Sequence, residues 1–452
     1  MRSARRDASN IARKTVKNVA SATPFTQDAR MTEFARAMVH AFLEREFIRQ
    51  VEFLAELVRV PSDNPPGDCT PAAERARELL ESLLDLEVEM DVVPATMARA
   101  NGMISTTNLI VRRRFGGSGP TIALNAHGDV VAPGQGWTRD PYGAEIIDDP
   151  DHGLTMFGRG VAASKSDFAT YTWALLALID LEKHGVPLHG AVELHFTYDE
   201  EAGGNLGPKR LLEQGLSRPD LAICAGFSYA VTSAHNGCVH LEVTVGGKSA
   251  HAAIPSTGVD ALEAATDVLN ALYAHRDELS NKHSRTPGID TPTLTVGMIQ
   301  GGINTNVVPD RVTLRIDRRV IPEEAAAAAE EELHGVIEAA VAHRSVSVEI
   351  NRILLAEPLL ELPNAARLII ALRTNAEAEF GVAIPVSGMP LYTDARHYAA
   401  AGIPTALYGA GPKTLQEANG HGDDECLHLD DLRKATAVIA LTLVDLLRPS
   451  RR

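Results

Sequence analysis

Three acids in a row, Asp199, Glu200 and Glu201, stand at the end of a run in which Val192, Leu194 and Phe196 alternate with Glu193, His195 and Thr197. The alternation predicts a strand with one buried face, and Gly203 and Gly204 behind the acids predict a tight turn. Adjacent carboxylates repel unless a cation or a shared proton lies between them, and a bound metal ion is the simplest such occupant. Two other stretches carry matching chemistry. PTIALNAHGDVV (120–131) runs an apolar segment into His127 and Asp129, and NGHGDDE (419–425) places His421 in a loop soon after the apolar run from Ile403 to Tyr408. All three sit just beyond predicted strands, where open α/β sheets bind their ligands.

His127, Glu201 and His421 make a two-histidine, one-carboxylate set. That set suits one divalent transition metal (Zn, Mn or Co) with positions left open for water and substrate. Asp129 is placed to accept the other ring N–H of His127 and fix its tautomer. Glu200 then remains to take a proton from water, whose pKa a metal lowers to about 7. The glycines from Gly409 to Gly411 can offer backbone N–H groups to an anion. Asp394 and His397, in YTDARHY, read equally as neighbours of the site or as loop structure.

The elements that must position these groups fall into two domains, the expected number for 452 residues. Residues 1–40 form a basic stretch (Arg2, Arg5, Arg6, Arg13, Lys14 and Lys17 against Asp7) and are expected to be a disordered extension or to precede a true start at Met31. A catalytic domain takes 41–237 and 355–452. It opens with helices over 41–59 and 71–84 and then alternates strands and helices, so its sheet is covered on both faces. The Ser164 to His184 segment reads as an amphipathic helix, 390–397 as a loop, and 430–447 as a closing helix. Between the two parts, 238–354 follows the order βαββαβ, a ferredoxin-like arrangement.

A net charge of −16 argues against nucleic acid or an anionic membrane as partner. No apolar run is long enough to span a bilayer. Four cysteines without Cys-x-x-Cys spacing read as reduced thiols in a cytoplasmic protein.

At these motifs the chain resembles the metal-dependent amidohydrolases and exopeptidases that include glutamate carboxypeptidase, acetylornithine deacetylase, succinyl-diaminopimelate desuccinylase and the aminoacylases. Similar segments run from about Arg49 to Leu447. They include His127-x-Asp129, the Gly158 to Gly160 turn, Glu200-Glu201 before glycines, Gly247-Lys-x-x-His251, Asn306-x-x-Pro309, and His421 through Glu425. The resemblance implies a zinc-exopeptidase-like catalytic domain with the inserted domain acting as a lid, and a homodimer formed through that lid. It also implies that His251 reaches the partner's site to polarise the scissile carbonyl. Asn306 and Arg319 would bind polar groups of a small anionic substrate, because an arginine pairs bidentately with a carboxylate. The reaction implied is hydrolysis of a C–N amide bond in a small N-substituted amino acid.

Two positions depart from the family pattern. The aspartate that bridges two metals is Ala163 here, and the carboxylate that holds the second metal aligns with Gly226. With both absent, one metal per chain is expected, and Asp167, one helical turn after Ala163, is a candidate substitute ligand. A mononuclear hydrolase of a non-peptide C–N bond and a non-catalytic small-molecule binder that has lost its metal pair stand as alternatives.

Overall fold

The structure is a computed structural model that describes residues 27–150, 153–414 and 416–449. The chain enters through α1 (Gln27–Val58) and α2 (Thr70–Leu83), followed by β1 (Val88–Val92), α3 (Ala95–Ala100), β2 (Thr107–Phe115) and β3 (Thr121–His127). A hairpin of β4 (Glu145–Asp149) and β5 (Gly153–Phe157) leads into α4 (Lys165–Lys183), β6 (Gly190–Thr197), α5 (Pro208–Glu213), β7 (Leu221–Cys224) and β8 (Val231–His235). The inserted domain is β9 (Gly237–Gly246), α6 (Ala261–Leu279), β10 (Thr293–Gly301), β11 (Arg311–Val320), α7 (Ala326–Val341) and β12 (Ser347–Ala356). The first domain then resumes with α8 (Ala366–Phe380), β13 (Val386–Met389), α9 (Ala395–Ala400), β14 (Thr405–Leu407), β15 (Cys426–His428) and α10 (Leu429–Leu447).

The catalytic domain is built on a mixed sheet of order β1-β2-β6-β3-β7-β14-β8-β13. Its middle strands β6, β3, β7 and β14 run parallel, so their C-terminal ends open along one edge. β6 is buried along its whole length, not on one face only, because helices cover both sides of the sheet. Its polar residues are therefore paired inside: His195 meets Glu193 at 3.1 Å and the Tyr398 hydroxyl at 2.8 Å. For the same reason α4 is buried nearly all round in its first three turns, and the amphipathic stripe expected there is absent.

The inserted domain carries a four-stranded antiparallel sheet of order β10-β11-β9-β12, the ferredoxin-like arrangement. Val239, Leu241, Val243 and Val245 are buried as their alternation requires, against Ala264, Val268 and Leu272 of α6 and Leu333 and Ile337 of α7. Asp260 caps α6 by accepting from the Leu262 and Glu263 amides.

Two expectations need correction, and one feature is new. The first helix starts at Gln27, so it crosses the boundary placed at residue 40, while residues 1–26 lie outside the described part of the chain. The 390–397 segment is not all loop, since α9 begins at Ala395. The small sheet β15-β5-β4 was not expected at all. Its strand β15 joins β5 across some 270 residues and brings the His421 loop back to the Gly158–Gly160 turn.

Candidate metal centre and active site

The C-terminal ends of the parallel strands deliver the site. His127 is the last residue of β3 and pairs in register with Thr197, the last of β6, so the DEE turn after β6 lies beside it. Donor atoms of His127, Glu200 and Glu201 come within 4.8 Å of one another. His421 Nε2 lies 3.4 Å from Glu201 Oε1. The loop nearly 300 residues after His127 thus reaches the trio through Glu201, and His421 itself stands outside the 4.8 Å group.

Asp129 organises the acids. Its carboxylate accepts from the Glu200 and Glu201 amides (3.2 and 3.1 Å) and from Asn64 Nδ2 (2.9 Å). His127 Nδ1 lies 3.0 Å from the Asp129 carbonyl and 3.3 Å from its carboxylate. Both partners are acceptors, so Nδ1 donates to Asp129, and Nε2 is the ring nitrogen that faces Glu200. The backbone carbonyl thus makes the closer contact that was expected of the carboxylate. Ser164 Oγ bridges the backbone N–H and carbonyl of His127 at 3.0 and 2.9 Å.

Electrostatics favour a cation here. Burial, and then the neighbouring carboxylates, push Glu200 and Glu201 above the ordinary carboxylate range, Glu201 strongly. Burial opposes protonation of His127, but its bond to Asp129 and the charge of Glu200 hold it well above its usual value. Acids crowded around an imidazole whose Nε2 points among them form a donor set that a divalent cation fits, the cation taking the place of the ring proton.

These groups open onto a cavity of about 410 Å³, lined also by Ala163, Asp167, Gly226, Phe227, Arg319 and Tyr392. Arg319 reaches it from the lid, with one guanidinium edge on Asp317 (3.0 Å) and its face toward the Tyr392 ring. Gly411 lines it too, but its N–H is spent on the Gly226 carbonyl (3.0 Å) and that of Ala410 on Asp167 (2.7 Å). Two of the three amides expected to hold an anion, those of Ala410 and Gly411, are thus already occupied. His251 and Asn306 are exposed on the lid, and neither lines the cavity of its own chain. Asp394 lines the cavity, and His397 Nε2 sits 3.3 Å from the Gly203 carbonyl.

Sequence reasoning missed Ser164, which grips the His127 backbone, and Asn64, whose side chain donates to the Asp129 carboxylate. It also missed Tyr392 and Arg396, whose only signal was their place in YTDARHY. Arg396 is buried, donates to the Thr393 and Gly203 carbonyls, and stacks over Tyr392.

Residues 123–445 match Peptidase family M20/M25/M40. The chain belongs to this family. It is 28% identical to a succinyl-diaminopimelate desuccinylase of Rhodospirillum rubrum over 49% of this chain and 57% of that protein. It is 31% identical to an acetylornithine deacetylase of Salmonella heidelberg over 53% of this chain and 58% of that protein. The matches thus span little more than half the length of these M20 relatives. Among solved structures, the di-peptidase Dug1p of Saccharomyces cerevisiae superposes with a TM-score of 0.72 at 15% identity, covering 91% of this chain and 98% of that one. That likeness shows the M20 fold, a catalytic domain with an inserted domain.

Proposed function

We propose that this chain hydrolyses the amide C–N bond of a small anionic N-substituted amino acid, using one divalent cation held by His127, Glu201 and His421. The observation that carries the reading is the convergence of those side chains with Glu200 at the open edge of the sheet. When bound, the cation would polarise the scissile carbonyl and acidify the attacking water. Glu200 takes the proton from that water and returns it to the leaving nitrogen. Asp129 keeps both glutamates and His127 in register, and Arg319 pairs with the substrate's carboxylate. His251, from the lid of a second copy, stabilises the oxyanion.

A second cation does not fit these residues. Ala163 carries no donor, and a Cβ at Gly226 would lie 2.8 Å from the Tyr408 amide nitrogen and 2.9 Å from Leu407, so no side chain can reach out from there. Zinc is the cation we favour, with Mn and Co as substitutes. The four cysteines are free and buried, which supports a reducing compartment such as the cytoplasm. No described helix is long and apolar enough to cross a membrane.

Metal analysis of the purified chain tests the reading. One equivalent per chain is expected, lost in Glu201→Ala and His421→Ala, with turnover abolished by chelator and restored by metal. Two tightly held equivalents, or full turnover without metal, would overturn it.

A further inference from the structure

Asp167, in the first turn of α4, is with Asp394 one of two acids of the cavity that the proposed reaction does not use, and the one on the side of Ala163 and Gly226. It is 1% exposed, yet it lines the cavity on the side of Ala163 and Gly226. Its Oδ1 accepts from the Ala410 amide at 2.7 Å, and the Gly226 amide also donates to it. The glycines around it make room: a Cβ at Gly409 would fall 2.0 Å from Asp167 Oδ1. Loops after β7 and β14 are thus packed around a carboxylate delivered from a helix, in the part of the cavity where Ala163 and Gly226 present no side-chain donor.

Two neutral amides do not neutralise a carboxylate. Among the described residues no Lys, Arg or His nitrogen lies within 4.0 Å of Asp167, and Asp167 stands outside the His127, Glu200 and Glu201 cluster. The charge that eases it is that of His127, which is already committed to Asp129 and the glutamates. Burial accordingly pushes its carboxyl up to about 7. A buried carboxylate that opens onto a cavity and has no cationic partner is costly unless an occupant brings the positive charge. A metal ion would find only one side-chain ligand here besides His127. An ammonium needs far less, since it donates three hydrogen bonds to whatever acceptors surround it.

We propose that Asp167 is a specificity residue that binds a primary ammonium group of the ligand, while Arg319 on the lid side of the same cavity takes the ligand's carboxylate. The ligand class is then a dipolar, amino-acid-like molecule with a free amine, in which the amine fills the volume left by Ala163 and Gly226. This rests on the cavity being the substrate site.

The test is calorimetry on the full-length Glu200→Gln chain, which keeps the site but does not turn over, loaded with one equivalent of zinc, and on the same chain carrying Asp167→Asn or Gly409→Ala. The probes are Nα-acetyl derivatives of 2,3-diaminopropionate, 2,4-diaminobutyrate, ornithine and lysine, each paired with the uncharged side chain of equal length (alanine, 2-aminobutyrate, norvaline and norleucine). At least one amine-bearing probe should bind about tenfold or more tightly than its uncharged partner, and Asp167→Asn should collapse that ratio to near one. Gly409→Ala, which pushes the carboxylate aside without deleting it, should also shrink the ratio and serves if Asp167→Asn does not fold. No amine advantage at any chain length, or one that survives both substitutions, overturns the proposal. With zinc in excess, a second tightly bound equivalent that Asp167→Asn removes also overturns it. Binding is read in a chain that does not turn over, so amine-selective binding there with no hydrolysis of any probe by the zinc-loaded wild type would keep this inference and remove the hydrolase reading.

Discussion

Asp129 accepts three hydrogen bonds, two of them from the amides of the glutamates it serves, so Glu200 and Glu201 are anchored through backbone and their side chains are aimed at one point. Their roles separate by experiment. Glu200→Gln keeps the shape but cannot take a proton, and it should cut turnover by about 10²–10⁴-fold with metal content near wild type. Equal loss of metal, measured by elemental analysis, would instead make Glu200 a ligand. Residue-scale chemistry was legible where it is local: His127-x-Asp129 and Asp199-Glu200-Glu201 reveal their purpose by type and spacing. Occupied amides are not local, which is why Gly411 reads as an anion site and turns out to be bonded to Gly226. A buried histidine is equally silent in sequence. Burial lowers His235 to about 3, with its Nδ1 held by the Asn236 carbonyl (2.8 Å). The unfolded chain takes up that proton near pH 6.5 and the folded chain does not until about 3, so the stability His235 contributes falls as pH drops below 6.5. Between pH 7 and 5 the wild type should lose about 2 kcal/mol relative to His235→Gln in urea denaturation of the metal-free proteins. Parallel pH profiles would show that His235 is not neutral in the folded state.

At the scale of elements, the loop between β14 and β15 is the demanding one. Asn419, His421 and Asp424 all adopt left-handed backbone, with φ of 51°, 63° and 52°, a conformation that costs non-glycine residues. Contacts at its far end hold it. Asp424 accepts from the Thr138 amide and hydroxyl, and Glu425 accepts from the Gly160 and Ala162 amides and from Arg159 Nη1 at 2.6 Å. Arg159 in turn donates to the His421 and Gly422 carbonyls at 3.3 and 3.1 Å. The pair is fully buried, so Glu425→Ala leaves an unmatched guanidinium and should cost about 3–5 kcal/mol in chemical denaturation. Through the freed His421 it should also weaken metal binding by about 10–100-fold. Unchanged metal affinity in a folded Glu425→Ala protein would mean that His421 is held without the pair. The sequence reading quoted both motifs but could not join them, because β15 is only three residues long and its partner β5 lies far away along the chain. β8 and β13 were missed for a related reason: VTSAH and VSGM are short and lack a clear apolar alternation. Long periodic segments such as α2, α10 and the lid strands fell within a few residues of where their patterns put them.

At the scale of the whole molecule, one edge of the inserted sheet stands out: β10 is one of its two edge strands, and Met298 (55%), Ile299 (53%) and, just beyond it, Ile303 (78%) are exposed. An exposed apolar edge strand invites pairing with another chain, and a closed two-fold dimer satisfies it without leaving a further edge. The same lid carries His251 and Asn306 in adjoining loops, tied by the Ala252 amide to the Asn306 carbonyl at 3.0 Å, and both are exposed away from their own cavity. If His251 completes the partner's site, two inactive chains should repair each other. In a heterodimer of Glu200→Gln with His251→Ala, one site has both defects and the other has an intact Glu200 with an intact His251 from across the interface. Random reassembly of equal amounts makes half the dimers mixed, so roughly a quarter of wild-type activity should return. Each parent alone should remain near background. Heterodimers verified by differential tagging that show no recovery would place His251 outside the reaction and leave the oxyanion to the metal alone.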